Sequence, residues 1–94
     1  MLHKMPIKLE TQPLVDNDEQ IIRSAIIAEY DAINLYEQFA NSTNNESLKI
    51  ILRDVANEEK VHVGEFERLL DIIDIDHQIK VIEGSKEVED KLND

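Results

Sequence analysis

The sequence predicts an all-α protein: an antiparallel two-helix hairpin with a short C-terminal helix, closing with a second copy into a four-helix bundle. Three observations predict it. Apolar residues recur in steps of three and four along two long stretches, the period of a helix and not of a strand. A short polar segment, Asn41 to Asn45, separates the two stretches. Two Gly, two Pro and 4% aromatic residues among 94 suit helices better than sheets.

Residues 1–15 contain Pro6 and Pro13 and show no sustained period. They are expected to form an extended arm that packs through Met5, Ile7, Leu9 and Leu14, with His3 solvated. The hairpin is assigned to residues 16–75. Asp16 followed by Glu19 has the form of a capping box, which places the start of the first helix there. Its stripe runs Ile22, Ile26, Glu29, Ile33, Tyr36 and Ala40, flanked by Ala25, Ala32 and Phe39.

Thr43 with Glu46 repeats the capping-box form, so the second helix is expected from there to about Asp74. At 1.5 Å per residue its length is about 45 Å, and so short a connection between long helices makes them antiparallel neighbours. The stripe of this helix runs Leu48, Leu52, Val55, Glu59, His62, Phe66, Leu69 and Ile73. Gly64 lies off it, in a helix interior where Gly costs about 1 kcal/mol relative to Ala. Ile27, Tyr30, Ile50 and Val61 also point away from their stripes, and together these back-face residues suggest further helix partners. Residues 76–94 are read as a short helix, Asp76 to Ile82, ended by Gly84, and then an acidic, mobile or loosely helical tail. His77 has no partner at ligand spacing and reads as a surface residue.

Composition removes several function classes. With no cysteine, disulfides, thiolate zinc sites and iron–sulfur clusters are excluded. A net charge of −11 argues against a nucleic-acid partner, because no basic patch is available to meet phosphates. No apolar run reaches bilayer length and no signal-peptide core opens the chain, so no membrane association and a cytoplasmic location are the default expectations.

The chemistry is concentrated in Glu59-Lys60-Val61-His62, an E-x-x-H that puts carboxylate and imidazole on one helical face. Chance alone would produce this motif in roughly one such chain in three, so its weight comes from context. Glu59 and His62 interrupt one apolar stripe, and Glu29 interrupts the other. Burying ionisable groups without a compensating partner costs several kcal/mol, so their coincidence on facing stripes points to a cation. Two amphipathic helices leave one side of their core open, and a dimer of hairpins would cover it. Ferritin-like di-iron bundles take one Glu from each of two helices and Glu-x-x-His from each of the other two. One chain supplies one of each, and two chains about a twofold axis supply four carboxylates and two imidazoles. Iron and manganese both accept such ligands. Three readings therefore stand: a ferroxidase, another di-metal enzyme such as a peroxidase or a manganese protein, and a metal-free helical-hairpin interaction module.

The strings AIIAEYDAINLYEQFA and DVANEEKVHVGEF resemble the encapsulated ferritins, particularly the ferritin-like segment fused to archaeal encapsulin shells. The resemblance covers most of residues 21–92. It implies a half-ferritin whose ferroxidase centre, two irons per dimer interface, forms between two subunits of a ferritin-like bundle. By position, Glu29, Glu59 and His62 would be the iron ligands, and Tyr36 the tyrosine beside them, these four carrying the chemistry. The family commonly assembles as a ring of five dimers, which would cover Gly64 and the back-face apolars. Iron storage or detoxification with a separate encapsulin shell is the implied role, possible inside such a compartment. Two features depart from the pattern. Ala28 stands where members carry an acid beside the position of Asp31, an acid implicated in iron uptake. The tail EGSKEVEDKLND lacks the Gly-Ser-Leu character of an encapsulation peptide, and no shell-domain segment is expected among these 94 residues.

Overall fold

The computed structural model describes residues 14–93, with side chains described from Asn17 onward. It contains three helices in order: α1 (Leu14–Asn41), α2 (Glu46–Ile73) and α3 (Ile75–Leu92). The described residues include no strand. The expected extended arm and His3 fall outside the described residues, apart from Leu14 and Val15, which are already helical and so belong to α1. No helix among the described residues is long and apolar enough to cross a membrane.

α1 and α2, 28 residues each, form the hairpin. Its core is a pair of ridges with a seven-residue repeat: Ile26, Ile33 and Ala40 on α1, and Ala56, Val63 and Leu70 on α2. A seven-residue spacing keeps one seam facing the partner helix along the whole hairpin. Ile22 joins Ile26 and Leu70 at the open end, with Phe66 packed against them.

This seam corrects the α2 stripe. The ridge buried within one chain lies one residue further on than expected, at Ala56, Val63 and Leu70. Leu48, Leu69 and Ile73 of the predicted stripe remain 46%, 45% and 42% exposed. A two-helix hairpin buries only the narrow line along which its helices touch, while an amphipathic stripe spans more than 100° of surface. The rest of the apolar arc becomes one open flank.

Both predicted caps move. α1 begins at Leu14, so Asp16 lies inside its first turn; an acid is favoured there by the helix dipole as it is at a cap, and sequence alone does not separate the two positions. α2 is capped by Asn45, whose Oδ1 accepts the N–H of Leu48 at 2.9 Å. Thr43 sits two residues earlier, its hydroxyl accepting the N–H of Asn45 at 3.2 Å and shaping the turn.

The third helix is longer than expected. It runs 18 residues, through Gly84, instead of stopping there. Neither glycine has a positive φ, so Gly84 stays helical. A single helical Gly costs only about 1 kcal/mol, and the good helix formers that follow offset it, with Lys86 and Asp90 paired at 3.1 Å one turn apart. Asp74 makes the break between α2 and α3. Its backbone N–H closes α2 on the carbonyl of Leu70 at 2.8 Å, and its carboxylate accepts the N–H of His77 at 3.1 Å to cap α3. The same carboxylate lies 3.8 Å from Arg23 on α1. His77 is therefore no free surface residue: its Nε2 lies 3.4 Å from Oε2 of Glu67, and its side chain is 23% exposed. The partner lies ten positions back on another helix, a separation no local motif encodes.

Candidate metal centre

Glu29 sits midway along α1, and Glu59 and His62 lie one turn apart midway along α2. Antiparallel packing brings these midpoints level, so one residue from the first helix meets two from the second. Nδ1 of His62 lies 3.3 Å from Oε2 of Glu29 and 3.4 Å from Oε2 of Glu59. One ligand atom from each of the three residues falls within 4.8 Å of the others. Among the described residues this is the one group of three or more such side chains that meets metal-ligand spacing.

The surroundings are graded. Both carboxylates are 19% exposed, whereas the imidazole is 46% exposed and lies towards the open flank. Desolvation raises the pKa of Glu29 above the usual carboxylate value, and the Glu59 carboxylate beside it raises it further, against the lowering influence of His62. Desolvation pulls His62 down, but the carboxylates of Glu29 and Glu59 together outweigh it and hold the imidazole above its ordinary value. The apo cluster therefore favours retaining protons between its acids. A divalent cation would replace those protons. Two carboxylates and an imidazole are oxygen and nitrogen donors of the kind that suit iron and manganese, and the set fits either.

Tyr36 stays half-buried two turns along α1, outside the three-residue cluster. Its ring meets Phe39 edge to face, with centroids 6.4 Å apart. Glu58, next to the cluster in sequence, is exposed and lies outside it, about 100° around α2 from Glu59, as expected of a residue off the stripe.

A helical hairpin with Glu on one arm and Glu-x-x-His on the other is half of a ferritin-like bundle, and this defines the class of protein. Comparison with known proteins agrees. A family model described as Rubrerythrin matches residues 20–92, and the chain belongs to the rubrerythrin family. It is 51% identical over 71 residues to the ferritin-like-encapsulin shell fusion protein of Pyrococcus furiosus, covering 76% of this chain and 21% of that protein. It is 45% identical over 53 residues to the encapsulin nanocompartment cargo protein EncC of Myxococcus xanthus, covering 56% of this chain and 41% of that one. The crystal structure of the encapsulated ferritin domain from Pyrococcus furiosus matches with a TM-score of 0.81 at 41% identity, over 96% of this chain and 92% of that one. The chain thus spans about a fifth and two fifths of the two whole relatives, and nearly all of the solved domain. The resemblance to encapsulated ferritins stands, as does the all-helical, ferritin-like fold.

Proposed function

We propose that the chain is a ferroxidase that binds Fe(II) as substrate between two copies of itself and delivers Fe(III), with dioxygen or peroxide as electron acceptor. The observation that carries the reading is the convergence of Glu29, Glu59 and His62 within 4.8 Å from two helices, on the flank the single chain leaves uncovered. One copy offers three ligand side chains. A second copy packed on that flank brings three more, so that four carboxylates balance two divalent ions and the imidazoles complete the donor set.

The residues' own contributions follow from the geometry. Glu29 and Glu59 bind and orient iron, and their negative charge favours the trivalent over the divalent state. His62 leaves its carboxylate partners to act as a neutral donor, which releases its proton. Partial burial of both acids limits competition from water for the metal. Tyr36, on the same flank, is assigned a supporting role beside the centre. The metal-free interaction reading draws on one observation, that His62 already contacts both acids without an ion.

The shell association carried by the names of the two relatives extends to this chain as a proposal: oxidised iron passes to a separate encapsulin shell, inside which the protein would lie. The hairpin and α3 leave no enclosed volume for a mineral. The test is to add excess Fe(II) in air to metal-free protein and follow iron stoichiometry, Fe(III) formation and iron in solution. Saturable binding near one iron per chain, rapid oxidation and turbidity are expected. No iron binding would favour the interaction module, manganese retention without iron oxidation would favour another di-metal enzyme, and a discrete soluble mineral core would refute the need for a shell.

A further inference from the structure

The outer face of α2, turned away from α1, carries a pattern that neither the hairpin core nor the metal centre uses. Ile50, Val61 and Ile72 are 64%, 64% and 58% exposed. They recur every eleven residues, or about three turns, so each lies about 20° around the helix from the last. At about 100° per residue the line falls about 180–220° around α2 from Glu59, facing away from the carboxylate cluster.

Two charges share this face. Asp54 and Arg68, both exposed, stand seven residues before and seven residues after Val61. Among the described residues neither makes an ion pair. The face is thus symmetric in apolar residues about Val61 and antisymmetric in charge. Turned end for end, it complements itself. Gly64, about 60° around from Val61, adds no bulk beside this midpoint, since a Cβ there would meet nothing within 4 Å.

We propose that this face docks on the same face of a second copy, α2 against α2 and antiparallel, about a twofold axis at Val61. In that register Val61 meets its own copy, and Ile50 meets Ile72 of the second copy at both ends. Asp54 lies opposite Arg68 of the second copy, and the twofold axis repeats the pair. A parallel arrangement would instead set Asp54 against Asp54 and Arg68 against Arg68, which charge repulsion disfavours. Glu58 and Glu65 lie about 40–60° from Val61, at the rim, where they face the same acids of the second copy and oppose docking. A contact one helix wide and about 33 Å long also falls short of a standard interface, so it is weak between separate chains. Because it lies on the far side of α2 from Glu59, it forms with or without metal, and the inference does not rest on the ferroxidase reading.

The chain has no cysteine, so single cysteines placed on this face report their neighbour directly. The test is disulfide cross-linking of metal-free, full-length protein under mild oxidation. Val61→Cys should form a covalent dimer, because the twofold axis brings its two copies within disulfide reach. Ile50→Cys alone should not, since its copies lie about 33 Å apart, whereas a mixture of Ile50→Cys and Ile72→Cys should. Ile27→Cys, exposed on α1, measures random collision. Adding Asp54→Arg to Val61→Cys should lose the covalent dimer, and adding Arg68→Asp as well should restore it. Cross-linking of Val61→Cys no faster than that of Ile27→Cys would overturn the proposal. So would an Ile50→Cys dimer as abundant as the mixed one, the mark of parallel docking, or a failure of the double exchange to restore the product.

Discussion

At the scale of single residues, the centre consists of two acids and a base that would repel or neutralise one another without an ion. Glu29→Ala, Glu59→Ala and His62→Ala are each expected to reduce the iron oxidation rate by at least about tenfold, because the loss of one charged ligand interaction exceeds about 1.4 kcal/mol. Glu58→Ala should stay within about twofold, and an equal loss at Glu58 and Glu59 would show that α2 is rotated from the proposed orientation. Tyr36→Phe should slow turnover and leave metal affinity intact. Stability and metal affinity should respond to pH in opposite senses. Folding raises the pKa of both Glu29 and His62, so the folded apo chain holds more protons than the unfolded one just above the unfolded values. Their contribution to stability is complete below those unfolded values and is lost as pH rises through the folded ones. Metal needs both groups deprotonated, so its affinity rises across the same interval. Denaturant midpoints of the apo protein and metal titrations between pH 4 and 8 check both slopes, and a loss of the pH-dependent stability difference in Glu29→Ala would assign it to this cluster.

At the scale of elements, Asp74 joins all three helices: it closes α2, caps α3 and pairs with Arg23 on α1. Asp74→Ala should cost about 1–2 kcal/mol through the lost cap, with a smaller share from the half-exposed ion pair. It is expected to lower the denaturation midpoint and to fray the start of α3, seen as faster amide exchange at residues 75–78. Gly84 offers the converse case. An added Cβ there meets nothing within 4 Å, so Gly84→Ala should stabilise α3 by up to about 1 kcal/mol. A destabilised Gly84→Ala variant would instead show that another chain approaches α3 closely at that position.

At the scale of the whole molecule, the single chain is flat, 47 × 45 × 18 Å, and leaves many apolar side chains uncovered. Leu48, Phe39, Leu69 and Ile73 are each more than 40% exposed on the flank that carries the carboxylate cluster. A second copy packed on that flank, as proposed for the two-chain centre, would cover them. A metal bound only by that dimer stabilises it by mass action, by about 2.7 kcal/mol when free metal is 100 times its dissociation constant. Added Fe(II) under anaerobic conditions should therefore move the mass distribution from monomer to dimer or larger assemblies at low micromolar protein. An unchanged distribution, with metal bound, would place the whole centre within one chain.

Sequence periodicity determined the all-helical hairpin because an apolar arc of period 3.6 is stable only as a helix with one face covered. It also picked out Glu29, Glu59 and His62, since charged groups at apolar positions stand out before any partner is known. Encounters between distant residues were decided by tertiary structure. The phase of the buried ridge at Ala56, Val63 and Leu70 depends on how closely two helices touch. The shift of the α2 cap to Asn45 depends on where the loop leaves that contact. The His77–Glu67 pair depends on the single-residue break at Asp74, whereas the persistence of α3 through Gly84 rests on the local helix formers that follow it. Local sequence specifies which face of a helix is apolar, but the part of that face that becomes core is set by the helix it meets.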